Sequence, residues 1–426
     1  MSDVLILGGG IAGLGAAHAA RRHGITSLVL EAGSRPGGLL DSFSVEGFRF
    51  DNAVHLSFAN EPEVREIFDR TPYLEHEAAS LCWDDGYWLR HPVQNNLFPL
   101  PVEEKVALIE GLARQEQGEI RNYRDWLVQQ YGTPIAARWP LIYTRKYWTI
   151  PAEEMGTGWI GPRMRQAALN EVLLGAMAER APNTYYVSVM RYPKKGGYRA
   201  FIEPLIEAAE IRCGAHVVSV DQLGRRVRLA DGEELPFRLL VSTMPLPSLV
   251  AMMRDVPEEI RADAASLFAT RVDLISIALR RPEVSPSLWF YIYDQDVLAA
   301  RVYSPSWKSP DNAPPGCCSL QWEIYSSCRR PLQASVAEMT ENCLAAMERM
   351  GLAARSDVIF THHKQLPFGN VVFDLGMEER RDRVRAWVEA QGIGVAGRFG
   401  EWAYLWSNQS FMSGCAAVDR LHAASG

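Results

Sequence analysis

The sequence predicts an α/β protein with a Rossmann-type dinucleotide-binding domain, an inserted helical domain and a second domain built on an antiparallel β-sheet. Three observations carry this. The chain opens with an apolar run, a glycine-rich turn, an alanine-rich helix and a second apolar run ending in an acid. A central stretch from about Pro101 to Ala181 has apolar residues three or four apart, which is the helical period. Several short runs beyond it are rich in β-branched and aromatic residues or alternate in polarity. With 426 residues the chain exceeds one ordinary domain.

Val4-Leu-Ile-Leu7 is short and apolar, as a buried parallel strand requires. Gly8, Gly10 and Gly13 follow in the spacing GxGxxG, and Leu14 to Arg22 reads as a helix. In such a unit Gly8 permits the tight turn, Gly10 lets the backbone approach a pyrophosphate, and Gly13 lets helix and strand pack closely. The helix start offers free N–H groups and partial positive charge to phosphates. Ser27-Leu-Val-Leu30 reads as the second strand, with Glu31 placed to accept hydrogen bonds from a ribose diol.

The central period predicts helices over Val102 to Gln115, Tyr123 to Tyr131 and Arg163 to Arg180. Strands are expected at Ala215 to Asp221 and Arg226 to Ala230, with turns at Leu223-Gly224 and Asp231-Gly232. Leu239 to Met244 and Ile393 to Gly397 read as strands returning to the first sheet, and Ser410 to His422 as a closing helix. Val272 to Leu279, Leu288 to Tyr293, Ala299 to Tyr303 and Cys318 to Tyr325 would form the antiparallel sheet. The expected division is residues 1–90, 190–265 and 385–426 for the dinucleotide domain, 95–189 for the helical domain and 266–384 for the second sheet.

Composition narrows the classes. An apolar share of 47% with 22% charged residues is that of a globular protein, and a net charge of −7 without a Lys/Arg block argues against nucleic acid. Twelve Trp, fifteen Tyr and fifteen Phe exceed ordinary core needs, so some of these rings are expected to line a ligand cavity. Seven cysteines, an odd number without CxxC or Cys/His spacing, fit reduced thiols in a cytoplasmic protein and point to no metal site. The start lacks the basic lead of a signal peptide, and no apolar stretch is long enough to span a membrane.

Past Glu31, the segment Arg35-Pro-Gly37-Gly38-Leu39 resembles the extension of the glutathione-reductase-type FAD superfamily, which includes amine oxidases and protoporphyrinogen oxidase. There the arginine and glycines run along the pyrophosphate toward the flavin. The resemblance implies non-covalent FAD.

Further blocks, spread over nearly the whole chain, resemble the UDP-galactopyranose mutase family, particularly its eukaryotic type. They are Phe50-Asp-Asn-Ala-Val-His55, His91-Pro-Val-Gln94, Tyr147-Trp148, Trp159-Ile-Gly-Pro-Arg163, Arg191 to Gly197, Val241 to Met244 and Ala300-Arg301-Val-Tyr. The most specific is Gly397-Arg398-Phe-Gly-Glu-Trp402-Ala-Tyr404 followed by Asn408-Gln409-Ser-Phe-Met412-Ser-Gly414. In that family reduced flavin attacks the anomeric carbon of a UDP-sugar through N5 and expels UDP. The ring opens and recloses at another hydroxyl, so pyranose and furanose interconvert without net redox change.

The resemblance implies that Arg163 and Arg301 clamp the diphosphate, with Tyr291, Tyr404, Asn408 and Gln409 contacting diphosphate or sugar. Gln94 would read the nucleotide, Trp148 would wall the sugar, His55 would sit against the flavin, and Arg398 would help hold its reduced anion. Val218, Gly397 and Met412 would also touch the cofactor, and a reductant such as NAD(P)H would keep it active. From the residues alone, each arginine meets either an anionic ligand or an internal carboxylate. His55 is equally a packing or a proton-transfer group, and Asn408 could cap the closing helix.

The chain departs from the family pattern at His91 and Thr144, where tyrosine and asparagine are usual, and at Asn52-Ala53, where glycines are. Leu366-Pro-Phe-Gly-Asn370 replaces a Gly-Tyr-Pro loop. The runner-up reading is an FAD-dependent oxidoreductase of the amine oxidase type performing net two-electron oxidation, and redox stoichiometry separates the two.

Overall fold

The protein is described by a computed structural model covering residues 2–115, 118–161, 164, 168–179 and 189–424. Five parallel strands form the first sheet, in the order Ile393–Val395, Leu239–Ser242, Val4–Leu7, Ser27–Glu31, Ile211–Cys213. Val4–Leu7 is buried at every position because helices cover both faces, which is why it reads as an unbroken apolar run. The glycine turn leads into helix Ile11–Arg22 as expected. That helix packs backbone to backbone against helix Ser407–Ala423: a Cβ on Gly414 would lie 1.9 Å from the Ala12 carbonyl oxygen, and one on Gly15 would lie 2.3 Å from that of Phe411.

The second sheet has seven strands, in the order Val358–Leu366, Arg271–Leu279, Cys318–Ser326, Arg301–Tyr303, Trp289–Ile292, Leu81–Asp84, Tyr87–Arg90. Its pairings are antiparallel except that of Trp289–Ile292 with Leu81–Asp84, which is parallel. Residues 81–90, expected with the dinucleotide domain, therefore pair in this sheet. Cys318–Ser326 is buried on both faces. Leu320, Trp322 and Ile324 pack with Met339, Cys343 and Met347 of helix Val336–Arg349, while the alternate residues face the other way.

The helical insert comprises Val102–Ala113, Tyr123–Arg138, Pro140–Tyr147 and Leu169–Met177. Tyr123–Arg138 continues past the expected end at Tyr131 through a kink at Gly132, whose backbone (φ 72°, ψ 157°) is not helical. Arg163 and Arg180, the expected limits of the last helix, lie outside the described residues. A three-stranded antiparallel meander, Val217–Asp221, Arg226–Leu229 and Glu234–Pro236, follows the expected turns. The closing helix starts three residues before the expected Ser410, at Ser407. Among the described residues no helix is long and apolar enough to cross a membrane.

Candidate functional site

One cavity of about 1250 Å³ runs from the glycine turn of the first sheet to the second sheet and the helical insert. This is larger than a pocket for one small ligand, for which about 300–1000 Å³ is usual. Gly8, Gly10, Glu31, Gly37, Gly38 and Leu39 lie on its wall at one end, and Gln94, Trp148, Tyr291 and Arg301 at the other. His55, Gly397, Arg398 and Tyr404 also line it.

The glycines do different work. Gly8 has φ of 102°, and a Cβ there would lie 2.4 Å from Thr243 Oγ1. A Cβ on Gly13 would meet the Gly8 carbonyl oxygen at 1.9 Å, so helix and turn close on one another there. Gly10 has ordinary φ, and its Cβ would meet only Gly38 Cα, at 4.0 Å. The protein therefore leaves the space beside Gly10 to the cavity. The Gly37 amide donates to the Gly9 carbonyl (2.9 Å), which brings the second glycine pair against the first. Glu31 accepts from the amides of Gly9 and Gly33, both at 2.7 Å, so its carboxylate is held at the cavity wall beside the turn.

At the far end, strand register builds the site. Tyr291 pairs with Arg301, and Arg301 with Glu323, across three neighbouring strands. Arg301 donates through Nε (2.7 Å) and Nη2 (2.6 Å) to Glu323 Oε2, so of the two partners open to it the described residues supply the internal carboxylate. Tyr325 Oη donates to the same oxygen (2.6 Å), and the Val54 amide to Oε1 (2.8 Å). Glu323 is fully buried. Burial opposes the charge on Arg301, but Glu323 holds its pKa well above the ordinary range. Tyr143, Tyr147 and Tyr325 lie around this pair, with Tyr293 next to Tyr143, and burial raises each phenol's pKa, so all are neutral donors at ordinary pH.

Arg398 differs. Its Nε donates to the Leu405 carbonyl (2.9 Å), Nη1 lies 3.4 Å from Asn370 Oδ1, and its Cζ is 5.3 Å from the Tyr404 ring centroid. Among the described residues it forms no ion pair, and it is the cavity's uncompensated cation. Asn370 Oδ1 also lies 3.4 Å from Tyr147 Oη, so the loop Leu366 to Asn370 links Arg398 to the tyrosines around Arg301. Trp148 packs with Trp159 (4.9 Å) and Tyr404 (5.3 Å) in an aromatic wall.

His55 Nε2 lies 2.9 Å from the Asn52 carbonyl, and burial lowers its pKa to about 4, so the ring is neutral at ordinary pH. The preceding residue but one, Ala53, has φ of 71°, the left-handed region. Asn52 lines the cavity, and its buried Oδ1 has no hydrogen-bond partner among the described residues. His91 packs on Tyr291 (4.7 Å), and burial lowers its pKa to about 4 as well.

Five expected residues stand elsewhere. Arg35 is half exposed and pairs with Asp41 (2.9 Å). Val218 is 42% exposed, and strand alternation gives the wall to Val217 instead. Met412 packs in the core of the first domain. Asn408 Nδ2 donates to Glu61 (2.8 Å), and Gln409 Oε1 accepts the Trp406 amide (3.0 Å), because the closing helix already begins at Ser407. Trp406, Ser407 and Ser410 line the cavity in their place. Arg163 lies outside the described residues. Glu323, Tyr143, Tyr293 and Tyr325 belong to no motif in the sequence; the signal for Glu323 is an acid in a β-rich run that alternates in polarity.

The comparisons with known proteins agree with this architecture. Residues 6–71 match the model of the NAD(P)-binding Rossmann-like domain. The whole chain superposes on a structure described as reduced UDP-galactopyranose mutase, covering 100% of this chain and 96% of that one, with a TM-score of 0.94 at 23% identity. A protein from Exiguobacterium sp. 255-15 given the provisional description protoporphyrinogen oxidase has a TM-score of 0.76 at 18% identity, covering 99% and 98% of the two chains. Putrescine oxidase bound to putrescine has a TM-score of 0.68 at 16% identity, covering 99% of each chain. This chain has the same fold: a Rossmann-like domain, a helical insert and a second, largely antiparallel sheet.

Proposed function

We propose that the cavity holds FAD non-covalently at its glycine end and a nucleotide-diphosphate sugar at its aromatic end, and that the chain isomerises the sugar between pyranose and furanose forms. The observation that carries this reading is the single continuous cavity, long enough for two ligands, with Gly10 at one end and Arg301 at the other. The residues present fit the cofactor, because the space beside Gly10 is unused by the protein.

Gly8, Gly10, Gly37, Gly38 and Leu39 would lie along the pyrophosphate, and Glu31 would accept the ribose hydroxyls in exchange for its present amide donors. Reduced FAD supplies a nucleophilic ring nitrogen at such a site. Arg398 contributes the uncompensated positive charge that favours an anionic ligand nearby. Arg301 offers a rigid fork for a diphosphate, and the neutral tyrosines around it donate hydrogen bonds without adding charge. Arg163 is assigned to the same diphosphate from its sequence block. Trp148 and Tyr404 wall off water, while burial keeps His55 neutral. Gln94 would meet the nucleotide.

The test is to incubate dithionite-reduced protein with UDP- and dTDP-sugars and follow the sugars by NMR. Interconversion of ring forms without net consumption of reductant is expected, with NAD(P)H able to replace dithionite. The Glu323 carboxylate favours a second reading, net two-electron oxidation, because it neutralises Arg301 and weakens the attraction for a diphosphate. Consumption of one oxidant per turnover and no ring isomer would establish that reading instead.

A further inference from the structure

Glu323 is not on the cavity wall, yet its two carboxylate oxygens face two parts of the site. Oε2 takes both Arg301 donors, and Oε1 takes the Val54 amide in the loop that carries His55. That loop is held in an unfavourable shape: Ala53 sits at φ of 71°, the left-handed region that crowds the Cβ of any residue but glycine. A hydrogen bond from an amide to a buried carboxylate is stronger than one between neutral groups, and it opposes that strain. The tie to Val54 therefore holds the loop, and the same carboxylate holds Arg301.

We propose that Glu323 is a positioning residue that couples anion binding at Arg301 to the conformation of the Asn52–His55 loop. An anion drawn to Arg301 competes with Oε2 for the guanidinium. It also places negative charge beside a fully buried carboxylate, whose remaining neutralisation then comes from the donors of Tyr325 and Val54. Any such redistribution changes the force on the Val54 amide, and by linkage the loop conformation changes the affinity for the anion by the same factor. An amide at position 323 has one acceptor oxygen, so it can serve Arg301 or Val54 but not both. The inference rests on the reading of Arg301 as a diphosphate-binding residue.

The experiment is hydrogen–deuterium exchange of the peptide spanning Asn52 to Phe58 in FAD-loaded protein, with and without saturating inorganic pyrophosphate, in the parent and in Glu323→Gln. Pyrophosphate is expected to change exchange of this peptide several-fold in the parent. In Glu323→Gln it should still bind by calorimetry while leaving the peptide unchanged. Binding without any change in the parent overturns the coupling and needs no variant to fold. An equal response in parent and Glu323→Gln assigns the coupling to some other route and also overturns it. Failure of pyrophosphate to bind the parent removes the diphosphate reading of Arg301, and the coupling with it.

Discussion

Asp51 and Lys308 form an ion pair, with Nζ 2.5 Å from Oδ2, in which neither side chain reaches solvent. The carboxylate also accepts from Tyr192 Oη (2.9 Å), Ser42 Oγ (2.8 Å) and the Tyr198 amide (3.0 Å). Burial opposes both charges, but Lys308 and these donors still keep the Asp51 carboxyl below its ordinary range. The pair fastens the strand leading to the His55 loop onto the short helix Pro305–Lys308, which follows the interior strand Arg301–Tyr303 of the second sheet. Removing one member should leave the other charge buried and unpaired, at a cost of about 3–5 kcal/mol. Lys308→Met is therefore expected to lower the denaturation midpoint sharply, and chemical denaturation measures it. A midpoint like the parent's would mean that the pair is not buried in solution.

The two glycines Gly10 and Gly13 should separate cofactor binding from folding. Gly10→Val places its side chain in the cavity beside ordinary backbone. The variant is expected to fold, with the stability of cofactor-free parent, and to retain no flavin after desalting. Gly13→Ala puts a Cβ 1.9 Å from a carbonyl oxygen and is expected to be destabilised with or without cofactor. Flavin absorbance and thermal midpoints distinguish the two, and flavin-replete Gly10→Val would remove the pyrophosphate assignment.

Arg301 and Glu323 should behave as one unit for stability and as two for binding. Arg301→Ala leaves Glu323 buried without its cation, so a loss of about 3–5 kcal/mol is expected. The double variant Arg301→Met with Glu323→Leu should recover most of that loss. It should not recover UDP affinity, which is expected to stay about 2–4 kcal/mol weaker than the parent's in calorimetry. Arg301→Lys should also bind UDP weakly, because an ammonium lacks the fork.

The dinucleotide unit was legible residue by residue because each of its parts is local: the apolar run from Val4, the turn at Gly8 and the acid at Glu31 are contiguous with the elements they serve. The other end of the cavity depends on strand register. Nothing near Arg301 in sequence announces Glu323, which reaches it only because their strands pair. The strand Val358–Leu366 was missed because its Thr-His-His-Lys-Gln stretch lies at a partly exposed sheet edge, where burial does not impose an apolar pattern. Val218 illustrates the sharpness of the alternation, since one residue of offset turns a wall position into an exposed one.

Acid should begin to destabilise the fold as the pH falls below the ordinary histidine pKa. Burial depresses the pKa values of His55 and His91 to about 4 from an unfolded value near 6.5. Between these values the unfolded chain binds more protons than the folded one, so stability falls as pH drops from about 6.5 to about 4. His91→Gln is expected to flatten this dependence, and midpoints measured at several pH values check it. The Asp51 contribution is lost only at lower pH, because its folded pKa lies below the ordinary carboxylate value. A parent whose midpoint is level across this window would contradict the burial of both rings.

Ala53→Gly should be stabilising. Relief of the left-handed strain returns about 1–2 kcal/mol, and the added freedom of the unfolded glycine takes back about 0.5–1 kcal/mol. A net gain of up to about 1.5 kcal/mol is expected in denaturation, and a loss would show that Ala53 is not held at positive φ.

The close packing of helix Ile11–Arg22 on helix Ser407–Ala423 also bears on how the chain is made. The central strand Val4–Leu7 lies beside Leu239–Ser242, which in turn lies beside Ile393–Val395. A nascent chain thus exposes its first strand and helix for most of translation, with their apolar faces waiting on segments hundreds of residues away. Loop closures of that length are slow, and such intermediates offer binding surface to chaperones. Gly397 and Arg398 lie far along the sequence from Gly8 and Gly10, so the cavity wall is complete only when both regions have been made and packed together.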